Sequence, residues 1–123
     1  AYKYPTTSDT HITILEYLIP EGQSAEEVMI ANTYFRDDSH PTLEGFSIKN
    51  VGGISFYYIY NSSLFEGEYG LKYFAIDEQR VISFVLSGWA SAIAIDSSGS
   101  YEVENEPAHL VLKQMLSTFR FIP

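Results

Sequence analysis

The residues best suited to metal chemistry lie together in one short stretch of the chain. Asp37, Asp38 and His40 bring two carboxylates and an imidazole close together in sequence, and zinc or manganese accepts such ligands. Their spacing matches no standard metal site, and a polar loop between a helix and a strand would contain the same residue types. A metal-binding module or metal-dependent enzyme that uses these three residues is therefore the alternative hypothesis. We expect no cofactor.

Tyrosines form a second candidate set. The chain contains 10 Tyr residues, and tyrosine offers a large contact area with a hydrogen-bonding tip. Aromatic pairs across strands also stabilise sheets in the absence of any ligand, so the exposure of these side chains decides between the two roles. The predicted ligand-binding or partner-binding residues are Tyr57, Tyr58, Tyr60, Tyr69 and Tyr73.

Recognisable catalytic motifs are missing from the sequence. Residues 87–91 lack the Gly-x-Ser-x-Gly order of a nucleophile elbow, and Gly52 and Gly53 lack the lysine and further glycines of a phosphate loop. Without cysteine, the chain has no thiolate nucleophile and no disulfide. His11 and His109 have no serine or aspartate neighbour arranged as in a nucleophile–base pair, and we expect both on the surface. A non-enzymatic role is favoured.

The charge balance excludes some partners. Sixteen acidic residues against seven basic residues give a net charge of −9, which repels a phosphate backbone or an anionic membrane surface. The longest apolar runs are interrupted by polar residues and are too short to span a bilayer. We therefore expect no nucleic-acid partner and no transmembrane segment.

Several features are compatible with export from the cell. The chain begins at Ala1 rather than Met, as expected of a processed protein or of a trimmed domain. It lacks cysteine, and Asn61, Ser62 and Ser63 form a glycosylation sequon, which is a short pattern of low specificity. An extracellular or cell-envelope location is predicted, and a lipid anchor would lie outside these residues.

Hydrophobic periodicity and turn residues predict an α+β fold. A strand over 11–19 is followed by a helix over 24–35, which starts at the capping box of Ser24 and Glu27. Further strands are predicted over 43–49, 54–60, 71–76 and 80–87, with a hairpin turn at 50–53, and residues 89–95 stay open between strand and helix. A final helix is capped by Asn105 and follows the helical spacing of five residues, Ala108, Val111, Leu112, Met115 and Phe119.

The layout of these elements resembles one known family. The features that carry the resemblance are Tyr-Lys-Tyr-Pro at 2–5, the 24–35 helix, the Gly-Gly turn at 52–53 before an aromatic strand, and Ser-Thr-Phe-Arg-Phe at 117–121. This pattern is similar to the PsbP-like fold family, although the Trp that often follows the opening Tyr-Pro is absent. The resemblance implies an α/β/α sandwich. Its members share no single activity, so it implies no function.

Together these observations lead to one prediction for the whole chain. Residues 1–123 should form a single PsbP-like domain, an antiparallel sheet flanked by helices. We expect a non-enzymatic, exported bacterial binding domain, such as the soluble part of a lipoprotein. Its partner, a protein or a small ligand, would bind at the tyrosine-bearing sheet or the adjoining loops.

Overall fold

The computed structural model describes residues 10–35, 39–61 and 68–121. In these segments the sheet consists of β1 (His11–Leu18), β2 (Ser47–Val51), β3 (Ile54–Asn61), β4 (Glu68–Ile76) and β5 (Arg80–Trp89). The helices are α1 (Ala25–Ala31) and α2 (Pro107–Thr118). Neither helix is long and apolar enough to cross a membrane, within the part of the chain that is described.

The five strands form one antiparallel sheet in the order β1-β5-β4-β3-β2. Strands β2 to β5 pair in sequence order, each with the next. The first strand, β1, lies at the opposite edge from β2, where it pairs with β5. This arrangement confirms the predicted α+β class and the predicted antiparallel sheet.

Both faces of the sheet carry an apolar core. Side chains alternate between the faces along each strand, so β4 sends Leu71 and Tyr73 to one cluster and Phe74 to the other. The first cluster includes Leu112 and Leu116 of α2, and we call this side the α2 face. The second cluster packs against Val28 and Met29 of α1, and we call this side the α1 face.

Helix α1 begins where the sequence predicts and ends earlier. The Ser24 hydroxyl accepts from the backbone N–H of Glu27, whose carboxylate in turn accepts from the backbone N–H of Ser24. The helix ends at Ala31 rather than at Phe35. The physical reason lies in the next two residues, whose side chains donate to the carbonyl oxygens of Val28 and Met29 and so provide a polar end to the helix.

Two other predicted boundaries require correction, and the structure also assigns the segment that was left open. The predicted 43–49 strand is a 3₁₀ turn, Leu43–Gly45, followed by β2. Residues 89–95, left open, contain the end of β5 and a 3₁₀ turn, Ala92–Ala94. Asn105 ends another 3₁₀ turn, so α2 begins at Pro107 with Glu106 as its N-cap residue. Proline is favoured at this first helical position because its missing N–H would have had no partner there.

The predicted Gly-Gly turn is present and touches α2. Gly52 and Gly53 connect β2 to β3 with φ angles of 61° and 85°, a conformation that favours glycine over other residues. A Cβ at Gly52 would lie 2.7 Å from Cα of Ser117 and closer still to the Ser117 carbonyl oxygen. A Cβ at Gly53 would meet nothing within 4 Å. The hairpin therefore packs directly against the end of α2.

Alanine substitution at these two glycines should separate steric clash from backbone strain. Both variants place a Cβ at positive φ, which costs about 1–2 kcal/mol, but only Gly52→Ala also pushes into the backbone of α2. We expect Gly52→Ala to lower the free energy of unfolding by at least about 1 kcal/mol more than Gly53→Ala. Urea denaturation of the two variants measures this difference, and equal destabilisation would contradict the predicted contact.

Candidate functional site

The structure places most of the predicted tyrosine set inside the protein. Tyr58, Tyr69 and Tyr73 are buried in the α2-face core, with 8%, 4% and 1% of their surface exposed. Tyr57 and Tyr60 are half-buried and lie on opposite faces, Tyr57 on the α1 face and Tyr60 on the α2 face. Only these last two retain surface that a ligand could reach, and their binding role stays a prediction.

One buried network joins Tyr73 to His109, which was expected on the surface. His109 is fully buried because it shares a helical face with Leu112 and Leu116, so the surface expectation is wrong. Its Nδ1 lies 3.1 Å from the Val103 carbonyl oxygen, which can only accept, so Nδ1 carries the hydrogen. Nε2 then accepts from the Tyr73 hydroxyl at 2.7 Å. Burial lowers the pKa of His109 and raises that of Tyr73.

A second buried network is built around Glu106. Its carboxylate accepts from the Ser91 backbone N–H at 3.0 Å, from the Ser91 hydroxyl at 2.5 Å and from the Tyr101 hydroxyl at 2.6 Å. Burial first, and then the Glu106 charge, raise the pKa of Tyr69 to about 12. These contacts join the beginning, the middle and the end of the segment between β5 and α2 to one another.

Both networks are satisfied internally. Among the described residues, no buried polar side-chain atom lacks a hydrogen-bond partner. Groups that are fully hydrogen-bonded inside a core stabilise the fold and specify its packing. The side chains in these two networks therefore stabilise the fold.

The α1 face contains a pocket that sequence reasoning missed. The cavity has a volume of about 180 Å³ and lies beyond the end of α1. Its lining residues, which we call the α1-face pocket, are Thr33, Tyr34, Phe35, Ile59, Gly70, Leu71, Lys72, Val85 and Ser87. The walls are thus mainly apolar and aromatic, with one amine and three hydroxyl groups, a composition typical of small-molecule sites.

His40 holds the wall of this pocket in place. Its Nδ1 lies 3.0 Å from the Ile30 carbonyl oxygen and 2.9 Å from that of Thr33. Its ring contacts the Tyr34 ring, with the centroids 4.5 Å apart. These contacts fix residues 33–35 against α1, so His40 contributes to the shape of the α1-face pocket.

The metal hypothesis stays a prediction. Asp37 and Asp38 lie outside the described residues, so their distance from His40 is not established. Within the described segments, no group of three or more histidine, cysteine, aspartate or glutamate side chains could hold a metal ion.

Lys72 supplies the charge of the pocket. It projects from the middle of β4 to the α1 face, where its Nζ donates to the Asn32 carbonyl oxygen at 3.0 Å. Burial lowers its pKa, because partial loss of water disfavours the charged form. In the described segments every ion pair involves other residues. The sequence signal was a single lysine within the apolar 71–76 run.

No family model, curated protein or solved structure matches this chain.

The buried imidazole should make the stability of the fold depend on pH. Free histidine has a pKa of about 6.5, and burial lowers the pKa of His109 in the folded state. Below that pH, His109 binds a proton in the unfolded chain but stays neutral in the folded protein until the pH falls to its lowered pKa. The free energy of unfolding should then fall as pH decreases, by up to about 1.4 kcal/mol per pH unit.

Urea denaturation between pH 7.5 and 5.5 tests this with His109→Gln, because glutamine keeps a donor and an acceptor but does not titrate. The Glu104 charge raises the pKa of His109, whereas the Lys113 and Lys49 charges lower it. These three residues are therefore not substituted in either variant. We expect a shallower pH slope in His109→Gln than in the exposed-residue control, His11→Gln. Identical slopes in the two variants would refute the role of His109.

Proposed function

We propose that this protein is a non-enzymatic binding domain that holds a small organic ligand in the α1-face pocket. The observation that carries the proposal is the cavity of about 180 Å³ between the sheet and residues 33–35. An apolar cavity of about 150 Å³ in another protein is large enough to bind benzene. A ligand the size of one substituted aromatic ring therefore fits here.

The lining chemistry favours binding over catalysis. Among its described residues, the pocket contains no carboxylate and no imidazole, and its one amine, that of Lys72, donates to the Asn32 carbonyl oxygen. Thr33 is committed to the Met29 carbonyl oxygen at 2.9 Å. What the pocket offers is apolar contact area, the hydroxyl groups of Tyr34 and Ser87, and the Lys72 amine.

The predicted biological setting belongs to the same proposal. An exported bacterial domain of PsbP-like type, extracellular or in the cell envelope, agrees with the missing cysteine. The two helices pack on opposite faces of an antiparallel sheet, as in the sandwich that the resemblance implies. Both observations support this setting.

Gly70 provides the most direct test of the pocket. It lies on the α1 face, and its only close neighbour for an added Cβ is the Leu86 carbonyl oxygen at 3.9 Å. Leucine at this strand position should fill the cavity without strain, whereas alanine should leave room. We expect at least one of three probes, phenol, benzamide or benzoate, to shift the amide signals of pocket residues in NMR titrations.

The expected result is binding to the wild type and to Gly70→Ala, and its loss in Gly70→Leu. Native amide spectra in both variants control for folding. Equal binding by the Gly70→Leu variant would place the probes elsewhere on the protein. Failure of all three probes to bind the wild type would reject the proposed function.

A further inference from the structure

We infer that the ligand of the α1-face pocket is a small organic carboxylate, with its anionic group on Lys72 Nζ and its apolar body against the aromatic and aliphatic walls. This inference rests on the proposed function and names the chemical class of the ligand. It follows from the donors, the walls and the charge of the pocket.

Lys72 has hydrogen-bonding capacity left after it caps α1. An ammonium group has three donors and no acceptor, and one donor is used by the Asn32 carbonyl oxygen at 3.0 Å. No described carboxylate lies within ion-pair distance of the ammonium. A partly buried cation in this situation is stabilised by any anion that reaches it, because hydrogen bonds between charged groups are the strongest class.

The remaining surface of the pocket fits an apolar body. Ile59 is buried at the base, Val85 is half-buried, and Tyr34 and Phe35 form the exposed rim. Such walls gain free energy from any apolar surface that they remove from water. A carboxylate carried on a ring satisfies the ammonium and the walls together, whereas a bare inorganic anion satisfies only Lys72.

The overall charge of the protein makes this inference easy to test. A net charge of −9 repels anions at long range. A preference for an anionic probe over its neutral analogue therefore cannot arise from general electrostatic attraction. It must come from a local positive group, and Lys72 is the cation that lines the pocket.

The experiment compares benzoate with benzamide, which has the same ring and nearly the same shape but no charge. NMR titration of the wild-type protein should give at least about tenfold tighter binding of benzoate, as expected for a charged hydrogen bond. Lys72→Met and Lys72→Gln should both remove this preference. The amide introduced by Lys72→Gln can still donate a hydrogen bond towards the Asn32 carbonyl oxygen, so this variant separates loss of charge from loss of the helix cap.

Lys49→Met is the matched control, because Lys49 lies on the α2 face over the Tyr58 ring. It removes the same charge and should leave the benzoate preference unchanged. Equal binding of benzoate and benzamide in the wild type, or a preference that survives in both Lys72 variants, would overturn the carboxylate assignment. If benzoate and benzamide bind the wild type but not the Gly70→Leu variant, the α1-face pocket is still the binding site and only the ligand class is wrong. If neither benzoate nor benzamide binds the wild type, the carboxylate assignment is wrong, and the proposed function is rejected as well when phenol also fails to bind.

Discussion

The organisation of this protein depends on a mismatch of length between helix α1 and the sheet beneath it. Helix α1 contains seven residues and is about 10 Å long at 1.5 Å per residue. Strand β4 contains nine residues and spans about 30 Å. A helix this short covers only part of the α1 face. Residues 33–35 cover more of it without regular structure, and the α1-face pocket lies between them and the strands.

The early end of α1 is itself a matter of hydrogen bonding. The last carbonyl groups of a helix have no partners within it. Here the side chains of Asn32 and Thr33 donate to two of them. The Nδ1 of His40 hydrogen-bonds to a third, the Ile30 carbonyl oxygen. Lys72 then reaches from the sheet to the next carbonyl oxygen, that of Asn32. The residues that terminate the helix therefore also build the wall of the pocket and position its only charge among the described lining residues.

Local sequence signals predicted the parts of the fold that local interactions determine. The capping box at Ser24 gave the start of α1, and the Gly-Gly turn gave the β2–β3 hairpin. The end of α1 was missed although Asn32 and Thr33, whose side chains bond its last carbonyl groups, follow it directly. His40 and Lys72 add contacts there that helical periodicity does not indicate. His109 was misplaced although its spacing from Leu112 and Leu116 marks the buried face of α2. The pocket could not be predicted from the sequence, because its lining residues come together only when three strands and residues 33–35 are assembled.

The central claim is that the short α1 leaves a ligand pocket whose ammonium group binds a carboxylate. A crystal of the protein soaked with 4-bromobenzoate tests it most directly, because anomalous scattering locates the bromine independently of the rest of the map. The account predicts a bromine peak between residues 33–35 and the sheet, with a carboxylate oxygen within hydrogen-bond distance of Lys72 Nζ. A bromine peak elsewhere, or a ligand in the pocket whose carboxylate faces away from Lys72, would contradict it.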